Sequence, residues 1–167
     1  MNDIGPYLSW AALSRIGGYL RQMPTSFPDL RSAVSYYRNT LAPFGELDDA
    51  DWLHLTEHSV ARDDSGACRV LCDPGIARVF GPGLLYNLSL WKYWDAIQCD
   101  VLLLRGEQSD MLSREIAAQM VRRGKRTILR EVAGCGHAPP LLSYEEMECV
   151  TSWIASGPEL TNGTSAA

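Results

Sequence analysis

An aspartate and a histidine, Asp110 and His137, each follow an apolar run of strand type and sit in a loop of small and turn-forming residues. The first run, Val101-Leu102-Leu103-Leu104, continues into Arg105-Gly106-Glu107-Gln108-Ser109-Asp110. The second, residues 127–132, leads into Gly134-Cys135-Gly136-His137-Ala138-Pro139. Imidazole titrates near neutrality, so it can take a proton from a hydroxyl nucleophile and later pass it to a leaving group. A carboxylate bonded to one ring nitrogen fixes the tautomer and stabilises the imidazolium that forms. Both groups need rigid placement, and neighbouring parallel strands supply it by carrying loops to one end of a sheet. Gly134 and Gly136 permit the tight turn that such a histidine loop requires.

Taken singly, each residue has a plainer use. Asp110 could cap the helix that follows it, and His137 could be a structural hydrogen-bonding residue. The acid-then-histidine order across a strand–helix–strand connection favours the chemical use. Ser109 is the wrong nucleophile, since it adjoins the acid, and no Gly-x-Ser-x-Gly occurs in these residues. A second pattern, His54-Leu55-Thr56-Glu57-His58, places two histidines at i and i+4 with a glutamate between them. Such a pair can reach a zinc ion, but no third ligand is signposted. A solvated helix face is the plainer expectation, and a zinc site at His54 and His58 the remote one.

The elements that must position these groups fall into two regimes. Ser9 caps a predicted helix from Trp10 to Arg21, and Thr25 or Ser26 caps a second along Leu30, Val34, Tyr37 and Leu41, with Pro28 in its first turn. A third helix runs from Asp49 to Val60, with a turn at 63–66 and an extended segment from Ala67 to Cys72. Asp73-Pro74 starts a short helix through Phe80, Gly81-Pro82-Gly83 interrupts the chain, and Leu88 to Ile97 reads as helical. Residues 9–97 are thus a run of short helices with little strand. From Val101 the pattern changes. Val101–Leu104, apolar throughout, suits a strand covered on both faces of a parallel sheet. Ser113 caps a helix to Arg123, residues 127–132 form the next strand, and Ser143 with Glu146 makes a capping box for a last helix that Gly157-Pro158 stops. Two strands do not make a stable doubly covered sheet, so the sheet they belong to is expected to lie mostly outside this sequence.

The 167 residues suffice for a core, and 46% hydrophobic with 21% charged residues describes a folded chain. A net charge of −5, with no basic run, argues against nucleic acid or an anionic membrane as partner. Cys68, Cys72, Cys99, Cys135 and Cys149 have no metal-site spacing and are expected to be reduced. No apolar run approaches the roughly 20 residues needed to span a membrane, and a cytoplasmic chain is expected. A polar tail, residues 158–167, carries Asn162-Gly163-Thr164, a glycosylation acceptor pattern without meaning in that compartment.

At these residues the sequence resembles the α/β-hydrolase fold family, in which the triad acid precedes the histidine. The stretch from Leu102 to Asp110 looks like its acid-bearing strand and loop, and Gly134 to Pro139 like its histidine loop. Asn2-Asp3-Ile4-Gly5-Pro6 looks like the segment leaving the sixth strand, before a helical cap. The resemblance implies an α/β fold: a helical cap or lid at 9–97 after a core segment at 1–8, then a β-α-β-α remnant of the parallel core at 98–157. It makes Asp110 the triad acid and His137 the general base, with Asp3 the lesser alternative because some relatives carry the acid one strand earlier. The nucleophile elbow and oxyanion loop lie before the cap in this family, so the nucleophile is absent from this chain.

The implied activity is hydrolysis of an ester, lactone or carbon–carbon bond in a small apolar acid derivative, without cofactor or metal. Trp52, Trp91 and Trp94 are candidate pocket walls, and this chain alone is expected to be inactive. A complementing N-terminal half, or self-association through an exposed sheet edge, is the expected partnership. The competing reading is a non-catalytic helical interaction module.

Overall fold

The structure is a computed structural model that describes residues 1–80 and 86–156. The Gly81-Pro82-Gly83 break, the Gly157-Pro158 stop and the tail with its Asn162-Gly163-Thr164 pattern lie outside the described residues. In chain order the elements are β1 (Tyr7–Leu8), α1 (Trp10–Gln22), β2 (Ser26–Phe27), α2 (Leu30–Thr40), α3 (Asp49–Glu57), β3 (Val60–Arg62), β4 (Cys68–Val70), β5 (Leu88–Ser89), α4 (Trp91–Trp94), β6 (Val101–Gly106), α5 (Arg114–Arg123), β7 (Thr127–Val132) and α6 (Tyr144–Ser156). Short 3₁₀ turns occupy Ala42–Phe44 and Pro74–Phe80. The chain divides into two compact units, residues 9–87 and residues 1–8 together with the chain from Leu88 onward.

In the 9–87 unit, Ser9 caps α1 as its sequence implies, its Oγ accepting from the Ala12 N–H at 3.2 Å. The cap of α2 is Asp29, which accepts from Ser32 N–H at 2.7 Å. The sequence pointed to Thr25 or Ser26, but Ser26 and Phe27 are extended and pair with β4. Asp48 and Asp51 close a reciprocal capping box on α3. The little strand expected in this region is also corrected. β2, β4 and β3 form a three-stranded antiparallel sheet in that order, with Val60 opposite Val70 and Phe27 opposite Cys68. Its inward residues build a core with Ala33 and Tyr37 of α2. β4 lies within the segment from Ala67 to Cys72 read as extended, whereas β2 and β3 are too short to show an alternation in sequence, so only their pairing reveals them.

In the other unit, β6 and β7 pair in parallel, Val101 against Thr127 through Gly106 against Val132. Every residue of β6 is buried, as its unbroken apolar run requires. On its far side the chain start adds a parallel bridge, Asn2 with Leu104. Asp3 N–H donates to Leu104 O at 2.8 Å, and Leu104 N–H to Met1 O at 2.9 Å. Ser113 and Gly124 bound α5 as the sequence indicated. Ser143 and Glu146 exchange the two bonds of a capping box at α6. Residues 88–97, grouped with the helices from sequence, instead begin with strand β5 and a single turn of helix, α4. Trp94 of that turn joins Val101, Leu103, Leu112, Ala117 and Met120 in one core. Arg123 lies over the Trp91 ring at 4.3 Å and pairs with Asp95, which fastens α5 to α4.

Candidate functional site

The site forms where three chain segments meet at the C-terminal end of β6. The segment Met1–Asp3, held along β6 through Leu104, delivers Asp3 there, fully buried. Its φ of 52° is left-handed, a conformation that aspartate tolerates better than most residues because its short side chain bonds locally. The strand ends supply the rest. The chain leaving β7 turns at Gly134, where φ is 70°, and runs through Cys135 and Gly136 to His137.

The His137 Nδ1 lies 2.9 Å from Asp3 Oδ2 and 3.0 Å from the Asp3 carbonyl oxygen. Asp3 Oδ1 accepts the Gly106 N–H at 3.0 Å. The buried carboxylate thus has a donor on each oxygen, which offsets the cost of removing it from water. Both neighbours of Nδ1 are acceptors, so Nδ1 carries a proton and donates, and in the neutral tautomer this selects, the lone pair is on Nε2. The His137 side chain is 23% exposed and that of Asp3 is not exposed at all. One nitrogen is fixed within the fold and the ring retains access to solvent.

The loops around this pair are locked to each other. Glu107 N–H donates to Val132 O, and Gln108 N–H to Cys135 O, both at 2.9 Å. A Cβ on Gly106 would fall 2.0 Å from the Gly136 carbonyl oxygen, so only glycine lets the two loops approach so closely. Asn2 anchors the far end of the histidine loop, its Nδ2 donating to Pro139 O at 2.9 Å. Cys135, buried beside the pair, has its thiol pushed up to about 11, first by burial and then by the charges of Glu146 and Asp3. It is a protonated packing group at neutral pH and not a nucleophile.

The two residues singled out from sequence therefore stand differently. His137 occupies the loop expected of it. The carboxylate at its Nδ1 belongs to Asp3, the lesser of the two candidates, while Asp110 sits exposed on the turn beyond β6. The reason is positional. Asp3 rides on a segment paired with β6, whereas Asp110 stands four residues past the strand end, beyond the turn that buried Ser109 holds by accepting from Met111 and Leu112 N–H. Nor does Asp110 cap α5, because Ser113 does. The signal for Asp3 was present as an extended start followed by Gly5-Pro6, but three residues reveal little of a strand.

The tryptophans and the paired histidines each have contacts of their own. Trp52 and Trp94 are each 4% exposed and serve packing, and the Trp91 ring is covered by Arg123. His54 and His58 stack at the end of α3 with ring centroids 4.3 Å apart. His58 Nδ1 is held at 2.9 Å by the His54 carbonyl, and Glu57 bonds Arg62. Among the described residues no group of three potential ligands converges on a metal position, and no helix is long and apolar enough to cross a membrane.

No family model matches the chain. It is 35% identical over 171 aligned residues to the 3-hydroxybutyrate-oligomer hydrolase of Cupriavidus necator, spanning 98% of this chain and 56% of that protein. A Rickettsia typhi structure assigned to the hydrolases superposes with a TM-score of 0.79 at 30% identity, over 92% of this chain and 52% of its own. An alpha/beta hydrolase from Novosphingobium aromaticivorans superposes with a TM-score of 0.76 at 29% identity, over 92% of this chain and 55% of its own. The chain spans about half the length of these relatives and matches their C-terminal part.

Proposed function

The chain belongs to the α/β-hydrolase fold family, and from that premise we propose that it supplies the acid–base half of an ester-hydrolysing site. His137 is the general base and Asp3 the carboxylate that orients it. The observation that carries this reading is the contact of His137 Nδ1 with Asp3 Oδ2 at 2.9 Å. It leaves Nε2 to take a proton from a hydroxyl nucleophile as the nucleophile attacks the ester carbonyl. The imidazolium then returns that proton to the departing alcohol, and the same nitrogen activates water to release the acid. Asp3, buried against the ring, stabilises the imidazolium between those steps.

The nucleophile and the oxyanion donors belong to polypeptide outside this sequence, since no Gly-x-Ser-x-Gly occurs within it. A complementing N-terminal half is the partner this reading requires, and the chain alone is inactive. Losing oxyanion donors costs about 3 kcal/mol of transition-state stabilisation for each one removed, and without a nucleophile there is no covalent step. The substrate class is an ester of a small hydroxy acid, of the kind named by the Cupriavidus necator relative.

The test is hydrolysis of p-nitrophenyl butyrate and of short 3-hydroxybutyrate oligomers, by the chain alone and by the chain joined to an elbow-bearing N-terminal half. The reading predicts turnover only in the joined protein, lost on His137→Ala. Turnover by the chain alone, abolished by the same substitution, would contradict it.

A further inference from the structure

Glu107 is an exposed carboxylate that the chemistry above does not use, yet it makes a specific contact on the histidine loop. Its Oε2 accepts the N–H of Gly134 at 3.2 Å, at the residue whose left-handed φ starts the turn toward His137. Its own backbone N–H donates to Val132 O, at the end of β7. Its carbonyl oxygen accepts Arg105 Nη2 at 3.2 Å. That arginine is 4% exposed and has a partner on every guanidinium nitrogen, with Nε donating to Leu112 O at 2.8 Å and Nη1 to Glu131 Oε1 at 2.6 Å. The backbone of Glu107 is thereby fixed from below, so its side chain reaches the loop from a rigid base.

We propose that Glu107 is a positioning residue for His137: its carboxylate pins the Gly134 N–H and so fixes the loop that aims the imidazole at Asp3. The proposal rests on the Asp3–His137 reading. Only Cys135 and Gly136 separate Gly134 from His137, and Gly136 O is packed against Gly106. A displacement at Gly134 therefore has no slack in which to dissipate before it reaches the ring. Glu107 does not touch the imidazole and acts only through the backbone between them.

The test uses the full 167-residue chain, labelled with ¹⁵N, and reads exchange of the His137 Nδ1 proton with water alongside global stability by urea unfolding. Glu107→Ala is expected to accelerate that exchange about fivefold, the effect of losing one ordinary hydrogen bond, with the unfolding free energy lowered by no more than that same factor. Glu107→Gln, whose amide oxygen still accepts the Gly134 N–H, is expected to restore the wild-type rate. An unchanged rate in Glu107→Ala overturns the proposal. So does a Glu107→Gln variant that behaves like the alanine one, or a loss of global stability in Glu107→Ala well beyond what the acceleration accounts for. Absence of a protected Nδ1 proton in the wild-type chain would instead sink the Asp3–His137 reading.

Discussion

Asp3 and His137, 134 residues apart in the chain, share a hydrogen bond of 2.9 Å. The contact exists because the chain start lies alongside β6 and the histidine loop leaves the neighbouring strand β7. The pairing is a product of strand order and not of any local motif. Each of the following predictions turns on one part of that arrangement.

Gly106 is the point of closest approach between the two loops. Gly106→Ala would bring a methyl group 2.0 Å from the Gly136 carbonyl oxygen, and that backbone must move away. We expect a loss of about 3 kcal/mol in urea unfolding, at the upper end of ordinary overpacking, together with loss of the protected His137 Nδ1 proton. Gly18, where a Cβ would meet nothing within 4 Å, serves as control. Its alanine variant should be neutral or slightly stabilised.

Cys135 should be inert until the fold opens. With its thiol at about 11, only about 0.1% is thiolate at pH 8, so iodoacetamide should label exposed Cys99 well before it. The sign of the pH effect follows from the raised value. Burial favours the protonated thiol, so the contribution to stability is intact below the ordinary value of 9.0 and fades as pH climbs toward about 11. Wild-type urea midpoints should therefore fall more steeply than those of Cys135→Ala across that alkaline window.

The stacked histidines on α3 should be dispensable. His54 and His58 are exposed, and replacing both by alanine should change stability by no more than about 0.5 kcal/mol. Treatment with a chelator should leave the unfolding curve where it was. A midpoint raised by added zinc in the wild-type chain, and not in the double variant, would revive the metal reading.

Much of the site's framework was legible in the sequence, for definite physical reasons. The unbroken apolar run at Val101–Leu104 announced a strand covered on both faces, and β6 is buried throughout. The Ser143 and Glu146 pair announced α6 because a capping box is local chemistry that needs no tertiary context. The partner of His137 was less visible. Asp110 lies in a loop next to a clear strand, whereas Asp3 follows a segment too short to carry a period. Its identity as a strand depends on pairing with Leu104 far along the chain. The same limit hid β2 and β3, whose two or three residues gain meaning only from their register with β4, the one strand of that sheet read as extended from sequence. Trp94 carried two readings, pocket wall and the plainer one of core, and it packs with Val101, Leu103 and Met120.

The most direct test of the central claim is the protonation pattern of His137 in ¹⁵N spectra of the wild-type, Asp3→Asn and Asp110→Asn chains. If Asp3 orients the ring, the wild-type and Asp110→Asn proteins hold a protected proton on Nδ1, and Asp3→Asn loses that protection. A ring indifferent to Asp3→Asn but released by Asp110→Asn would contradict the account.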